Sequence, residues 1–263
     1  MPSFFEPIGL SGENAFSPRA AEFFPSEQAV AVLRRLAALL ELGGILLLWG
    51  EAGMGKSTIL DHLMKERVDK NQYRCLQVDF TSLSSGGFLR QLVFAFEEKP
   101  RRSKSDVVHQ LTSLWNCLSQ RVLLVVDEAH HLGSEALEDL RLLLTHLGNS
   151  RDMAVILAGQ PSLREVLRSP LQQALSQRVL SRCALRGWTL SEARSWLSQR
   201  LKTMGAPPHF MDMEAMDALY HYAKGNPRVM CQAMTNCLIC MVMEGQKKID
   251  VDCFKRSLAA VEA

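Results

Sequence analysis

The sequence contains no long hydrophobic run, no cysteine framework and no marked excess of charge of either sign. Its longest uncharged apolar stretch, residues 42–50, is far shorter than the roughly 20 residues that span a bilayer. The N-terminus lacks a basic segment followed by an apolar one, so no signal peptide is predicted. The seven cysteines lack the spacing of a secreted disulfide scaffold. These absences favour a cytoplasmic protein without a membrane span.

The charge is nearly balanced, with 30 Lys and Arg against 28 Asp and Glu and a net charge of +2. Such a total does not by itself indicate a nucleic-acid-binding protein. The cations are nevertheless concentrated in two stretches, residues 99–104 and 164–202, and in the second they are opposed only by Glu165 and Glu192. Each stretch is either a solvated surface or a contact for phosphate groups, and the sequence leaves both interpretations open.

The order of the predicted elements indicates a parallel α/β sheet followed by helices. Apolar strands are predicted at 45–49, 73–80, 121–126 and 153–157, with amphipathic helices at 27–42, 86–98, 107–118 and 134–147. After residue 185 only helices are predicted, at 191–204, 213–223, 227–244 and 251–261. We therefore expect an N-terminal arm (1–25), an α/β domain (26–186) and a small helical domain (187–263), with Gly187 and Trp188 as the hinge.

A glycine-rich segment between a predicted strand and a predicted helix matches the phosphate-binding pattern G-x-x-x-x-G-K-[ST]. Its residues, with the first residue of the following helix, are Gly50, Glu51, Ala52, Gly53, Met54, Gly55, Lys56, Ser57 and Thr58. The glycines let backbone N–H groups point into one concavity, where the helix N-terminus adds partial positive charge. Lys56 can reach the terminal phosphates and the Ser57 hydroxyl can ligate Mg²⁺. The segment predicts a nucleoside triphosphate site.

Polar residues follow two further predicted strands. Asp127 and Glu128 end the third strand, and at the carboxyl edge of a parallel sheet they would face the same crevice as the glycine-rich segment. Asp127 fits the acid that holds Mg²⁺ through water, and Glu128 fits the base that polarises the attacking water. His130 and His131 could contact Glu128 or the γ-phosphate, although solvated histidines are the favoured interpretation. Gln160 ends the next strand and could contact the γ-phosphate.

Three arginines are candidates for a contact with the phosphates. Arg178, or alternatively Arg182, could be delivered by a neighbouring subunit, as arginine fingers are in nucleotide hydrolases. Arg228 opens a helix of the predicted helical domain and could reach the phosphates from there. Taken alone, Arg228 is better explained as a surface cation at the N-terminus of a helix.

With these motifs in order, the chain resembles the AAA+ ATPases. Within them it is most similar to the branch of the ExeA-type secretion ATPases and the transposition ATPases TniB, TnsC and IstB. The segments that carry the resemblance are 5–10, 50–57, 126–130, 158–163, 177–178 and 225–228. The resemblance implies a P-loop NTPase parallel sheet of the ASCE type with a small all-helical lid domain, and it implies ATP and Mg²⁺ as cofactors.

The resemblance also implies roles for single residues. Lys56 and Ser57 would belong to Walker A, and Asp127 and Glu128 to Walker B. Gln160 falls at the sensor 1 position, where Asn, Thr or Ser is more usual. Residue 178 falls in the arginine-finger region and residue 228 at the sensor 2 arginine. Assembly into a homo-oligomeric ring or helical filament with ATP follows, because an arginine finger acts across a subunit boundary.

Two classes of function fit this family. The first is a DNA-binding regulator of transposition, which assembles with ATP on duplex DNA without strong sequence preference, contacts a transposase or target-selector protein, and disassembles on hydrolysis. The second is an ATPase of a secretion or pilus assembly system. The end of the chain just after the helical domain and the two basic stretches favour the first. A nucleotide-dependent switch with very slow hydrolysis is a third alternative.

Overall fold

The structure is a computed structural model that describes residues 4–10, 13–17, 22–78, 85–146 and 153–262. The chain divides into two compact units. The sheet unit comprises residues 27–52 and 56–185, and the helical unit comprises the described residues of 1–26, 53–55 and 186–263. The described residues before Glu27 thus belong to the same unit as the C-terminal helices, and the boundaries expected at residues 25 and 186 remain a proposal.

The sheet unit is built on parallel strands in the order β2-β3-β4-β1-β5. Their bounds are β1 (Gly44–Trp49), β2 (Tyr73–Val78), β3 (Arg121–Val126), β4 (Met153–Gly159) and β5 (Val179–Ala184). The residues of β4 are all buried, as expected for a central strand that is covered on both faces. The predicted parallel α/β fold is therefore confirmed. Residues 79 and 80 of the predicted second strand lie outside the described residues.

Seven helices are present in the described part of the sheet unit. They are α1 (Glu27–Leu42), α2 (Lys56–Glu66), α3 (Ser85–Ala95), α4 (Lys104–Asn116), α5 (Ser134–His146), α6 (Ser162–Arg168) and α7 (Gln173–Ser176). Helix α3 ends three residues before the predicted position 98, and α4 begins three residues before the predicted position 107. The N-cap Ser103 explains that earlier start, because its hydroxyl accepts a hydrogen bond from the backbone N–H of Asp106.

The carboxyl ends of three strands lie side by side and position the site. In the parallel register Trp49 of β1 pairs with Gly159 of β4, and Val126 of β3 pairs with Leu157 of β4. Because β4 lies between β1 and β3, the residue that follows β4 lies between the segments that follow the other two strands. The sheet thereby brings residues 50, 127 and 160 to one edge.

Strand β5 is not predicted by the sequence pattern. Its side chains alternate between buried and solvent-accessible, with Val179 and Cys183 buried and Leu180 and Arg182 exposed. A strand at the edge of a sheet has only one neighbour, and it does not need the continuous apolar run that identifies a central strand. The search for apolar runs therefore identified the central strands and missed this one.

The helical unit contains α8 (Leu190–Thr203), α9 (Met213–Ala223), α10 (Pro227–Glu244) and α11 (Val251–Glu262). Helix α8 begins with a capping box in which Thr189 and Glu192 satisfy each other's backbone N–H groups. The N-terminal segment adds apolar side chains to this core, and Phe16 packs edge-to-face on Trp196. In the described residues, no helix combines the length and the apolar character that a membrane crossing requires.

Candidate functional site

The glycine-rich segment leaves β1 after Trp49 and enters α2 at Lys56. Gly53 and Gly55 have φ angles of 82° and 87°, a left-handed conformation that side-chain-bearing residues rarely adopt. These two positions therefore require glycine. Lys56 is only 5% exposed, and its Nζ donates hydrogen bonds to the carbonyl oxygens of Gly50 at 2.8 Å and Glu51 at 3.1 Å. The ammonium group is thereby held over the segment that precedes it.

Two oxygen atoms suited to Mg²⁺ meet beside this lysine. The Ser57 hydroxyl, in the first turn of α2, donates a hydrogen bond of 2.6 Å to Oδ2 of Asp127. The other carboxylate oxygen of Asp127 accepts a bond of 2.8 Å from the backbone N–H of Glu128. A hydroxyl and a carboxylate are hard oxygen ligands of the kind that Mg²⁺ binds. The donor set therefore fits the predicted magnesium site.

Glu128 adopts a left-handed backbone conformation with φ 51° and ψ 31°. Such a conformation is uncommon for a residue with a long side chain, and it is found in turns and at functional sites. The side chain is 42% exposed, in contrast to that of the neighbouring Asp127, which is nearly buried. The two adjacent acids thus have different environments: one is fixed by hydrogen bonds and the other is open to solvent.

His130 is more enclosed than a solvated histidine, because its side chain is only 8% exposed. Its Nδ1 lies 3.4 Å from the backbone N of Gln160 and 3.5 Å from Oε2 of Glu128. Burial, and then the ring of His131 stacked at 3.9 Å between centroids, lower the pKa of His130, and Glu128 opposes them only in part. A neutral ring accepts the N–H of Gln160 and forms no ion pair with the glutamate.

Possible ligand atoms of Glu128, His130 and His131 all lie within 4.8 Å of one another, a grouping that could hold a metal ion. The two imidazole rings lie 3.9 Å apart between centroids, with an interplanar angle of 37°. His130 already uses Nδ1 as an acceptor. We therefore interpret these three residues as a polar cluster in which His130 accepts a hydrogen bond, rather than as a metal centre.

The two candidate finger arginines contact their own chain. The guanidinium of Arg178 donates to the carbonyl of Arg141 at 3.4 Å and to the hydroxyl of Thr145 at 3.0 Å, both on α5. That of Arg182 donates to the carbonyl and the hydroxyl of Ser176 at 3.1 Å each. The structure thus does not bring either side chain to Lys56 or Asp127 of the same sheet unit, as expected if a finger is supplied to a second subunit.

Arg228 lies in the helical unit together with residues 53–55. Within this unit its backbone N–H points at the carbonyl of Gly53, with an N···O distance of 3.4 Å. The side-chain oxygen of Asn226 caps α10 by accepting from the N–H groups of Arg228 and Val229. A Cβ atom on Gly53 would lie 2.6 Å from Cβ of Arg228, so this close approach also requires glycine. The contact with Gly53 involves the backbone of Arg228. The predicted contact between the Arg228 side chain and the phosphates therefore remains a proposal.

The two basic stretches differ in how their charges are used. In the second, several cations are engaged within their own unit: Arg194 forms a two-bond contact with Asp217, and the nearly buried Arg200 pairs with Glu22 at 2.8 Å. In the first, Lys104 pairs with Asp139 at 2.8 Å. Lys99, Arg101 and Arg102 are exposed and form no ion pair within the described residues. The loop before α4 therefore presents an open cationic surface, as do exposed residues of the second stretch such as Arg168 and Lys202.

The sheet is that of a P-loop NTPase fold. The glycine-rich loop after one strand, the hydroxyl–carboxylate pair suited to Mg²⁺ and the exposed acid after β3 form the arrangement expected of its site. Residues 40–167 match the AAA domain family. The chain is 29% identical over 245 residues to general secretion pathway protein A of Aeromonas hydrophila. That match covers 89% of this chain but 44% of the relative, so the chain spans less than half of that protein's length.

Solved structures support the same conclusion about the fold. Cdc6p from Pyrobaculum aerophilum superposes with a TM-score of 0.77 at 18% identity, over 96% of this chain and 72% of that one. The ORC1 protein of Aeropyrum pernix, solved in complex with DNA, has a TM-score of 0.69 at 17% identity, over 94% of this chain and 69% of that one. The predicted resemblance to the AAA+ ATPases is confirmed: residues 40–167 match the AAA domain model, and the chain shares its fold with these structures.

Proposed function

We propose that the protein binds ATP with Mg²⁺ and hydrolyses it. The observation that carries this proposal is the convergence of Lys56, Ser57 and Asp127 at one edge of the sheet, with the Ser57 hydroxyl 2.6 Å from Oδ2 of Asp127. Glu128 follows directly and is exposed enough to contact water. Phosphoryl transfer depends on positioning and on neutralised charge more than on covalent chemistry, and this set of side chains can supply both.

Each residue of the set has a separate task in the proposed reaction. Lys56 binds the terminal phosphates by exchanging the carbonyl groups of its own loop for phosphate oxygens. Ser57 and Asp127 hold Mg²⁺, which when bound neutralises charge on the phosphates. The carboxylate of Glu128 orients the attacking water and accepts its proton. Gln160, which directly follows the neighbouring strand β4, would contact the γ-phosphate.

We further propose that the active form is a homo-oligomer in which one subunit supplies an arginine to the next. Arg178 and Arg182 both lie away from the phosphate-binding residues of their own sheet unit, which supports a role in a second subunit. Hydrolysis per subunit should then rise with protein concentration. The test is a steady-state ATPase assay over a wide concentration range, with sedimentation velocity on the same samples. A rate per subunit that is constant from monomer to oligomer would contradict assembly-dependent catalysis.

For the cellular role, we place an ATPase of a secretion or pilus assembly system first. The similarity to general secretion pathway protein A extends over 89% of this chain, which supports this role more directly than fold similarity does. The transposition role, with duplex DNA and a transposase as partners, is the second candidate. The open cations of the loop before α4 favour it, and so does a fold shared with a protein solved on DNA. Binding of duplex DNA separates the two proposals.

A further inference from the structure

We propose that the open edge of strand β2 is a docking site for an extended, acidic segment of a partner protein. The segment would add to the sheet as a further strand, with its backbone bonded to β2 and its carboxylates close to lysines of α2 and of the turn before β2. This docking role goes beyond ATP hydrolysis and uses residues outside the nucleotide site.

Strand β2 stands at the end of the strand order, and within the described residues it pairs with β3 alone. At one end of that pairing the N–H of Arg121 donates to the carbonyl of Gln72 at 2.9 Å. At the other end the N–H of Asp127 donates to the carbonyl of Val78 at 3.0 Å. Alternate residues of a strand face a given neighbour, so the even-numbered residues of β2 bond β3 and Cys75 directs its N–H and C=O groups away from it. In the part of the chain that the structure describes, these two groups have no hydrogen-bond partner.

A cavity lies beside this edge of the sheet. Its volume is about 410 Å³, within the roughly 300–1,000 Å³ of ligand-binding clefts. Tyr73, Arg74, Cys75 and Gln77 line it from the strand, and Met64 lines it from α2. Helix α2 leaves this part of β2 uncovered, because Cys75 is only half-buried and Gln77 is exposed. The space beside the strand is therefore open to an added chain.

The charges around the cavity favour an acidic segment. Lys65 of α2 and Lys70 line the cavity, are exposed, and form no ion pair within the described residues. Arg74 also lines it and pairs with the exposed Glu97 at 2.8 Å. The acid of the lining is Asp61, so the two lysines exceed it even when Arg74 is counted as compensated. The carboxylates of an incoming segment would complement this excess of positive charge.

A peptide fits this edge better than a phosphate polymer does. Burial raises the pKa of the Cys75 thiol, and Lys70 and Arg74 oppose that rise, so both cations act at the position where the strand is open. The same position offers one N–H donor and one C=O acceptor. A peptide backbone can bond both groups, whereas a phosphodiester has only acceptors and leaves the carbonyl unpaired. The combination of positive charge and an open backbone therefore favours an extended acidic peptide.

The first test measures the charge requirement by fluorescence anisotropy, in low salt and without nucleotide. The probe is a labelled synthetic peptide of the length of β2 in which Glu alternates with Val, so that its carboxylates fall on one face of an added strand. Lys65→Glu with Lys70→Glu should weaken binding by about tenfold or more, because attraction becomes repulsion. Lys247→Glu with Lys255→Glu changes two exposed lysines of the helical unit by the same charge and should keep the affinity. No binding by the wild type, or an equal loss in both double variants, would overturn the proposal.

The second test measures the backbone requirement. The same peptide with N-methyl groups on alternate residues cannot donate to β2 and should bind about tenfold more weakly, since several hydrogen bonds are lost. Cys75→Pro removes the outward N–H, which an edge strand tolerates, and should weaken binding similarly, whereas Cys75→Ala should not. If Cys75→Pro does not fold, the methylated peptide gives the same information on the wild type. Equal binding of the methylated and unmethylated peptides would show attraction of charge alone and would overturn strand addition.

Hydrogen–deuterium exchange then locates the bound peptide. Exchange of the backbone N–H groups of residues 73–78 should slow when the peptide binds, and residues 179–184 of β5, at the other edge of the sheet, should be unchanged. Duplex DNA in place of the peptide should give no such protection of β2. Protection of β5 instead of β2, or equal protection of β2 by duplex DNA, would overturn the proposal.

Discussion

The hydroxyl of Ser57 donates a 2.6 Å hydrogen bond to Oδ2 of Asp127, although 70 positions separate the two residues in the chain. The bond joins the first turn of α2 to the end of β3. If these oxygens hold Mg²⁺, Asp127→Ala should make nucleotide binding insensitive to Mg²⁺ and should abolish hydrolysis. Titration of a fluorescent ATP analogue with Mg²⁺ or with EDTA measures this. Asp61→Ala, an exposed acid on α2, is the control, and an unchanged Mg²⁺ dependence in Asp127→Ala would contradict the assignment.

Lys56 is predicted to contribute more to nucleotide affinity than any other cation of α2. Its buried ammonium group is bonded to two loop carbonyls that phosphate oxygens can replace. Lys56→Ala should weaken ATP binding by about 2–5 kcal/mol, the cost of removing one partner of an enclosed, hydrogen-bonded charge pair. Isothermal titration calorimetry checks this, with the exposed Lys65→Ala as the matched control. Equal affinities of the two variants would refute the Walker A role of Lys56.

Glu128→Gln should separate binding from hydrolysis. The amide keeps the size of the side chain but cannot take a proton from water, so kcat should fall by about 10²–10⁴ while ATP affinity is retained. The ATP-bound assembly should then persist, and sedimentation velocity should detect it at times when the wild type has disassembled. Glu135→Gln, an exposed acid in the first turn of α5, serves as the control. Hydrolysis at the parent rate in Glu128→Gln would show that another group acts as the base.

The sequence predicts well those features that are determined by consecutive residues. The phosphate loop lies in one segment, and the apolar run of β3 ends directly at Asp127, so strand and acid are identified together. By contrast, the burial of a histidine ring that follows a strand depends on residues that are distant in the sequence and close in space. The enclosure of His130 depends on Gly159, which is 29 positions away on another strand, and no local pattern joins the two.

The same limit explains two other differences between expectation and structure. The first residues of the chain look irregular because Gly, Pro and Ser interrupt them, yet Leu10 and Phe16 are buried in the core of the helical unit. Strand β5 lies at an edge and has the alternating pattern of an exposed strand. In both cases the structural role comes from which surface the segment packs against, and that information is distributed over the whole chain.

A mixing experiment tests whether Arg178 acts across a subunit boundary. Arg178→Ala should lower kcat by about 10³-fold or more if it is an arginine finger, with little change in ATP affinity. Arg178→Ala subunits keep an intact base, and Glu128→Gln subunits keep an intact finger, so a mixture should hydrolyse ATP faster than either alone. Arg182→Ala in the same experiment decides between the two candidates. No gain on mixing for either arginine would contradict a finger supplied in trans by these residues.

The loop before α4 gives the most direct test of the DNA-binding role. Arg101 and Arg102 are exposed and form no ion pair in the described part of the chain, whereas Arg194 is held by Asp217. We therefore expect that Arg101→Glu with Arg102→Glu weakens ATP-dependent retention of duplex DNA in a filter-binding assay, and that Arg194→Gln does not. The slope of log K against log salt should decrease by roughly two, because two phosphate contacts are lost, and the loss should be similar for unrelated sequences. If the wild type retains no duplex at low salt with ATP and Mg²⁺, the transposition role fails and the secretion role stands.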